Sequence, residues 1–213
     1  MRTVSTKRRK RLPRAAQVEQ NRAAVLTAAG RVFREFGYTG ASLDAIAEEA
    51  GFSKGVIYSQ FASKADLFIT LLEQRIEERA GAQLVAVSAY AAAGEAEAFF
   101  EYLHAVTRAD PQWRLAVLEF RVAAARDPEL NARYARAHKR TIDGLALSLR
   151  ALLDARGVAP DFPVPLLAAA GLGFETGVLL EDIAIPDAIP QAQATALIGR
   201  LFSVTVPNPP EQT

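Results

Sequence analysis

Residues 42–61 read SLDAIAEEAGFSKGVIYSQF, and this stretch decides the fold. Leu43, Ile46 and Ala47 fall at the spacing of one apolar helix face. Ser42 precedes them as an N-cap, where its hydroxyl can satisfy an orphan backbone N–H. Asp44 adds negative charge in the first turn, where the helix dipole favours it. Gly51 follows Ala50, where a helix end wants a residue with positive φ. Phe52 then plugs the corner, and Ser53 opens a second helix whose inner face is Val56, Ile57 and Phe61. Ala47 is small where the two helices approach. The spacing predicts a helix-turn-helix with Ser53 to Gln60 as its second, outward helix.

The outer face of that second helix carries Ser53, Lys54, Gly55, Tyr58 and Gln60. Ser53 and its neighbouring N–H groups can meet a phosphate. Lys54 brings positive charge, and Gly55 allows close backbone approach. Tyr58 can offer its hydroxyl to a phosphate or its ring to a thymine methyl. Gln60 can read a base edge or hold a phosphate, and Lys64 is placed for a further phosphate. The same spacing also fits an αα-corner with a solvated face.

The longer run Ile46 to Phe68, IAEEAGFSKGVIYSQFASKADLF, resembles the N-terminal domain of TetR-family transcriptional regulators. The matching pieces are Ile46-Ala47, Ala50-Gly51, Ser53-Lys54-Gly55, Ile57-Tyr58, Phe61, Ser63-Lys64 and Leu67-Phe68. The likeness reaches back through AAGRVFREFGYTGASL, residues 28–43, and covers about a quarter of the chain, residues 18–75. Gln60 departs from it, standing where the family commonly has His or Asn, so the contact made there is not carried over. The resemblance implies double-stranded operator DNA as partner, and together with the outer-face reading, which alone supplies Gln60, the candidate DNA-binding residues are Ser42, Ser53, Lys54, Gly55, Tyr58, Gln60 and Lys64.

Charge is divided along the chain. Residues 1–64 hold 12 Lys and Arg against 5 Asp and Glu, and residues 65–213 hold 13 against 19, so a near-neutral total hides a basic head on an acidic body. That asymmetry is the electrostatic footprint of a nucleic-acid binder. Residues 1–16 contain seven Lys and Arg, no acid and Pro13, and read as a disordered basic arm that follows phosphates or is simply solvated. The chain has no Cys, which excludes a disulfide framework and thiolate chemistry. No apolar signal core follows the basic start, and the apolar run near residues 166–174 is too short to span a bilayer. A soluble, cytoplasmic protein without a membrane partner is the expectation.

The rest reads as helix throughout. Gln17 to Phe36 is amphipathic and ends at Gly37, completing a three-helix head. Ser63-x-x-Asp66 opens a long fourth helix to about Ala93, the rod that joins the head to the body. A helix is predicted over Glu95–Ala109. Asp110-Pro111 and Asp127-Pro128 are start signals for helices reaching about Arg126 and Arg156. Two more run from Pro163 or Pro165 to about Ile183, and from Gln191 to about Val204. The expected fold is all-α, with about nine helices. The division is a basic arm at 1–16, a helix-turn-helix domain at 17–62, an effector-binding and dimerisation domain at 63–206, and a tail at 207–213.

The resemblance further implies a homodimer through the last two helices, and a ligand pocket among the middle ones. The late helices are apolar enough for an interface, although the same residues fit a monomer core. Candidate pocket residues are Phe100, His104, Trp113, Tyr134, His138 and Phe174, lining a site for a small hydrophobic or amphipathic effector. Two His without Cys give no metal-ligand spacing, and no cofactor is expected. No catalytic residue is assigned. Glu101 with His104 is the local pair on which an enzyme could be built, and it reads equally as a solvated pair. The resulting expectation is a ligand-responsive regulator, most simply a repressor released from a palindromic operator. The alternatives are an activator, a sequence-nonspecific DNA binder and an enzyme.

Overall fold

The structure is a computed structural model that describes residues 13–93, 102, 105, 106, 108–155 and 157–205. Among these the regular elements are α-helices, eight of which have defined bounds. The expected helix over 95–109, residues 1–12 of the arm expected over 1–16, and the tail at 207–213 lie wholly or largely outside the described residues, while Arg14 to Ala16 of that arm instead open the first helix.

α1 spans Arg14–Gly40 and buries Val25, Leu26, Ala29, Val32 and Phe33 along one face. Val18 and Phe36 belong to that face by spacing, yet both are exposed. Val18 lies two turns before the first buried residue, and Phe36 sits against a break in the helix. The break is Gly37, at φ 68° and ψ 178°, a region essentially closed to residues with a side chain. A Cβ there would also overlap the carboxylate of Glu119. That carboxylate instead accepts a hydrogen bond from Thr39 N at 2.8 Å.

α2, Leu43–Ala50, starts and stops as its sequence dictates. Ser42 Oγ accepts from Ala45 N at 3.1 Å. At the other end Gly51 has φ 70°, Gly51 N donates to Glu48 O, and Phe52 N donates to Ala47 O. These two bonds form a Schellman motif and satisfy carbonyls the helix leaves open. α3, Lys54–Tyr58, is a single short turn whose Ser53 occupies the N-cap without a side-chain capping bond. Ile57 and Phe61 are fully buried beneath it.

α4, Lys64–Ala93, is the rod. Ser63 Oγ accepts from Asp66 N, and Asp66 reaches back to Ala62 N, each at 3.1 Å. Lys64 opens the rod facing inward, which corrects its expected role as a phosphate contact. Its ammonium donates to Tyr38 O at 2.7 Å, Ala41 O at 2.8 Å and Thr39 O at 3.3 Å. It also lies 4.6 Å from the centre of the Tyr38 ring. All three N–H bonds are thus spent on the end of α1, where carbonyls lack helical partners. Burial lowers its pKa from the ordinary lysine value, with Glu119 opposing the shift.

α5, Pro111–Ala124, is capped by Asp110, whose Oδ1 accepts from Trp113 N at 3.2 Å. α6, Pro128–Ala155, starts where Asp127 accepts from Glu129 N and Leu130 N. α7, Val164–Ala184, and α8, Gln191–Thr205, complete the described chain. By length and composition α7 could cross a membrane, since its mean hydropathy over an 18-residue window is 1.4. The uncharged apolar run at 166–174 is only part of this helix, which also carries Glu175, Glu181 and Asp182. Here its inner face, Val164, Leu167 and Ala168, packs with Leu149 and Leu153 of α6.

One core runs through head and body. It joins Val25 and Phe33 of α1 and Ile46 of α2 to Leu67 and Phe68 of α4, Trp113 and Phe120 of α5, and Tyr134 of α6. Ion pairs cross the same joint. Asp110 Oδ2 holds Arg34 of α1 at 2.9 Å and Arg75 of α4 at 3.1 Å. Asp66 Oδ1 holds Arg133 of α6 at 2.7 Å.

Gly37→Ala is expected to destabilise the protein by about 1–3 kcal/mol from backbone strain alone. Displacement of Glu119 adds to that, and a denaturant melt reads the sum. Lys64→Met keeps the stem and strands three carbonyls, so a loss of about 1–3 kcal/mol is expected in the same melt.

Candidate nucleic-acid interface and effector cavity

The head presents a compact polar surface. Ser42, Ser53, Lys54, Gly55 and Tyr58 are all exposed, and Tyr58 shows 58% of its surface. Their proximity is fixed by the motif. Lys54 Nζ reaches Asp44 Oδ2 at 2.5 Å, tying the start of α3 to the start of α2. The hydrogen bond to Asp44 raises the Lys54 pKa above its ordinary value, and Tyr58 is near enough to act on it electrostatically. A Cβ on Gly55 would lie 3.8 Å from Ser53 Oγ, so this corner stays open. An anion arriving here meets an exposed ammonium that is already paired with Asp44.

Two residues proposed for the surface are turned away from it. Lys64 is engaged beneath α1. Gln60 is half-buried, and its Oε1 is enclosed without a hydrogen-bond partner, so it does not present that oxygen to a base edge. Arg22 explains the packing around Gln60. Its guanidinium lies 4.5 Å over the Phe61 ring and donates to Gln60 O at 3.3 Å. Arg31 is paired with Glu49 across α1 and α2.

The body encloses a cavity of about 560 Å³ among α4 to α8. Volumes of that size hold small organic ligands. Trp113, Tyr134 and His138 line it. The Tyr134 and His138 rings stack at 5.5 Å, one turn apart on α6. Burial pushes the Tyr134 hydroxyl pKa up. Burial, and then the charge of Arg121, push the His138 imidazole down, favouring its neutral form.

Phe174 is a correction. It is half-buried and absent from the lining, because α7 turns Ala168, Gly171, Leu172 and Glu175 toward the cavity, and Phe174 lies off that stripe. Phe100 and His104 lie outside the described residues.

Sequence reasoning missed the cavity's charge. Arg75, Arg79, Arg114, Arg121 and Arg140 line it among the described residues, against the single carboxylate of Glu175. The available signal was Arg75 itself, a charge set within the apolar stripe Leu71, Leu72 and Ile76 of α4. Its guanidinium lies 4.3 Å over the Trp113 ring and pairs with Asp110.

The sequence pattern of the bacterial regulatory proteins of the tetR family matches residues 25–71. The HTH-type transcriptional activator FasR of Mycolicibacterium smegmatis is 39% identical over 71 residues, which span 33% of this chain and 31% of that protein. Beyond the head the likeness is one of fold. A Mesorhizobium loti protein described as a TetR-family transcriptional regulator superposes with a TM-score of 0.70 at 20% identity, covering 89% of this chain and 98% of its own. FadR of Bacillus subtilis, solved with stearoyl-CoA, superposes with a TM-score of 0.69 at 20% identity, covering 85% and 97%. The tetR-family sequence pattern thus falls on the helix-turn-helix head, residues 25–71, and the helical body behind it shares the fold of these structures.

Proposed function

We propose that the chain is an effector-controlled homodimeric repressor. It holds a palindromic DNA operator when unliganded and leaves it when a small hydrophobic or amphipathic molecule fills the cavity. The head, residues 17–62, docks through Ser42, Ser53, Lys54, Gly55 and Tyr58, with the basic arm of residues 1–16 following phosphates. Residues 63–206 bind effector and partner. The reading is of a regulator acting in the cytoplasm, without catalysis.

The observation that carries this reading is that one helix serves both ends. α4 begins under the head, where Lys64 holds the end of α1, and its Arg75 forms part of the cavity wall. An effector that fits the cavity better with α4 tilted draws on the same contacts that aim α3. By linkage its binding then weakens DNA binding as much as DNA weakens effector binding, typically about 5–150-fold.

Support for the dimer lies on the outer face of α7. Leu166, Ala170, Gly173, Gly177 and Leu180 form one exposed stripe. Among the described residues a Cβ on Gly177 would meet nothing within 4 Å, so this glycine has no packing contact there, whereas Gly173 also borders the cavity. Small residues on an exposed apolar stripe suit close approach of a second copy. Two heads so joined would set their recognition helices about 34–36 Å apart, one turn of DNA.

The test is fluorescence anisotropy on duplex DNA from upstream of the chain's own gene, against a scrambled duplex, at several salt concentrations. Preference for the native duplex by about a thousandfold is expected. Lys54→Ala should weaken binding and reduce the salt slope by about one. Equal binding of both duplexes would overturn the reading in favour of a nonspecific DNA binder. The name of FasR favours activation as a second reading, and transcription from the bound template decides the sign. Gly177→Glu should yield a helical monomer by sedimentation that has lost the native duplex. A dimer that persists would move the interface elsewhere.

A further inference from the structure

Arg75 is the odd member of the cavity wall. Its side chain is only 19% exposed, and Nη2 donates to Asp110 Oδ2 at 3.1 Å. The guanidinium plane is covered by Trp113. Nη1 is buried and has no hydrogen-bond partner among the described residues. A guanidinium has five N–H donors and no acceptor, so a buried unmatched nitrogen calls for a lone pair. A donor of this kind is costly when buried unmatched, and its bond to an anion is strongly favourable.

The surroundings fix the sign and shape of the matching group. Among the described residues the lining carries five arginines and one carboxylate, Glu175. That carboxylate already acts on Arg114, and Arg140 is bound to Glu73 at the rim. Next to Arg75 the wall turns apolar, with Leu72, Ile76, Val117, Leu145 and Leu149. A neutral oily molecule would fill the apolar part and leave Nη1 bare. A compact polar anion would satisfy Nη1 and leave the apolar part unfilled.

We infer that the cavity takes an apolar chain ending in an acidic head, and that the head docks on the Arg75 guanidinium while the chain lies along Leu72, Ile76, Leu145 and Leu149. This rests on the effector-controlled reading above and narrows it to one ligand chemistry. A carboxylate and a phosphate monoester share that chemistry, and the experiment separates them.

Trp113 is the chain's one tryptophan and lies directly beneath Arg75, so its emission reports on this position. The full chain is titrated, below micelle formation, with dodecanoate, dodecyl phosphate, dodecanol and dodecylamine. At least one acid should perturb Trp113 and bind about tenfold or more tightly than dodecanol, the size expected for one hydrogen bond between charged groups. The tighter acid identifies the head. Arg75→Gln should abolish the preference of acid over alcohol while retaining dodecanol binding, which also shows that the variant is folded. Arg140→Gln, at the rim, should keep the preference. Equal binding of acids and alcohol by the native chain, no binding of either acid, or a preference that survives Arg75→Gln would each overturn the assignment. Operator binding by the unliganded chain is measured without any of these ligands, so the regulator reading stands or falls separately.

Discussion

Phe68 is the contact on which head and body both depend. Its ring is fully buried one turn into α4. It meets Phe33 edge-on at 4.9 Å and Tyr38 at 5.1 Å, both from α1. It stacks on Trp113 at 5.2 Å and Phe120 at 4.6 Å, both from α5. Aromatic pairs of this kind add about 0.5–1.5 kcal/mol each beyond the area they bury. The helix-turn-helix is therefore seated on the wall of the cavity, since Trp113 belongs to both the core beneath it and the cavity lining.

Charge reinforces the same joint with few groups. Burial raises the Asp110 carboxyl pKa, and hydrogen bonds from Arg34, Arg75 and Trp113 N more than reverse it, so it stays ionised. Burial likewise opposes Asp66, and Arg133 with Ala62 N brings it below the ordinary carboxylate range. Each carboxylate does two tasks, ending or starting a helix and bridging to a distant one. Such pairs contribute less to stability than to geometry, because desolvation offsets much of their attraction. Their effect is to allow one arrangement of α1, α4, α5 and α6.

Local signals carried the reading of the sequence furthest. Ser42, Gly51, Asp110-Pro111 and Asp127-Pro128 act through bonds to residues two to four positions away, and the structure has each helix end where those residues place it. The outer surface of α3 was legible for the same reason, because the alternation of buried Ile57 with exposed Lys54 and Tyr58 is set by the helix period. The failures lie where a partner comes from far along the chain. Lys64 looks like any basic residue at a helix start, until the carbonyls of residues 38–41 arrive above it. Arg75 looks like solvent-facing charge until Asp110 and Trp113 fold over it. Phe174 failed more simply, since an aromatic residue on a helix apolar on several sides gives no clue to which neighbour it faces.

The unbroken core from Val25 to Ala137 also bears on how this protein comes apart. A head packed through shared side chains has no separate hydrophobic centre to keep it folded once the body opens. Its melting is then tied to that of the body in a single cooperative event, and local opening of α3 is held in check from a distance. Any molecule that binds the folded cavity raises the melting point of the helix-turn-helix along with everything else. Heat resistance of the head thus becomes a gauge of cavity occupancy, readable without DNA.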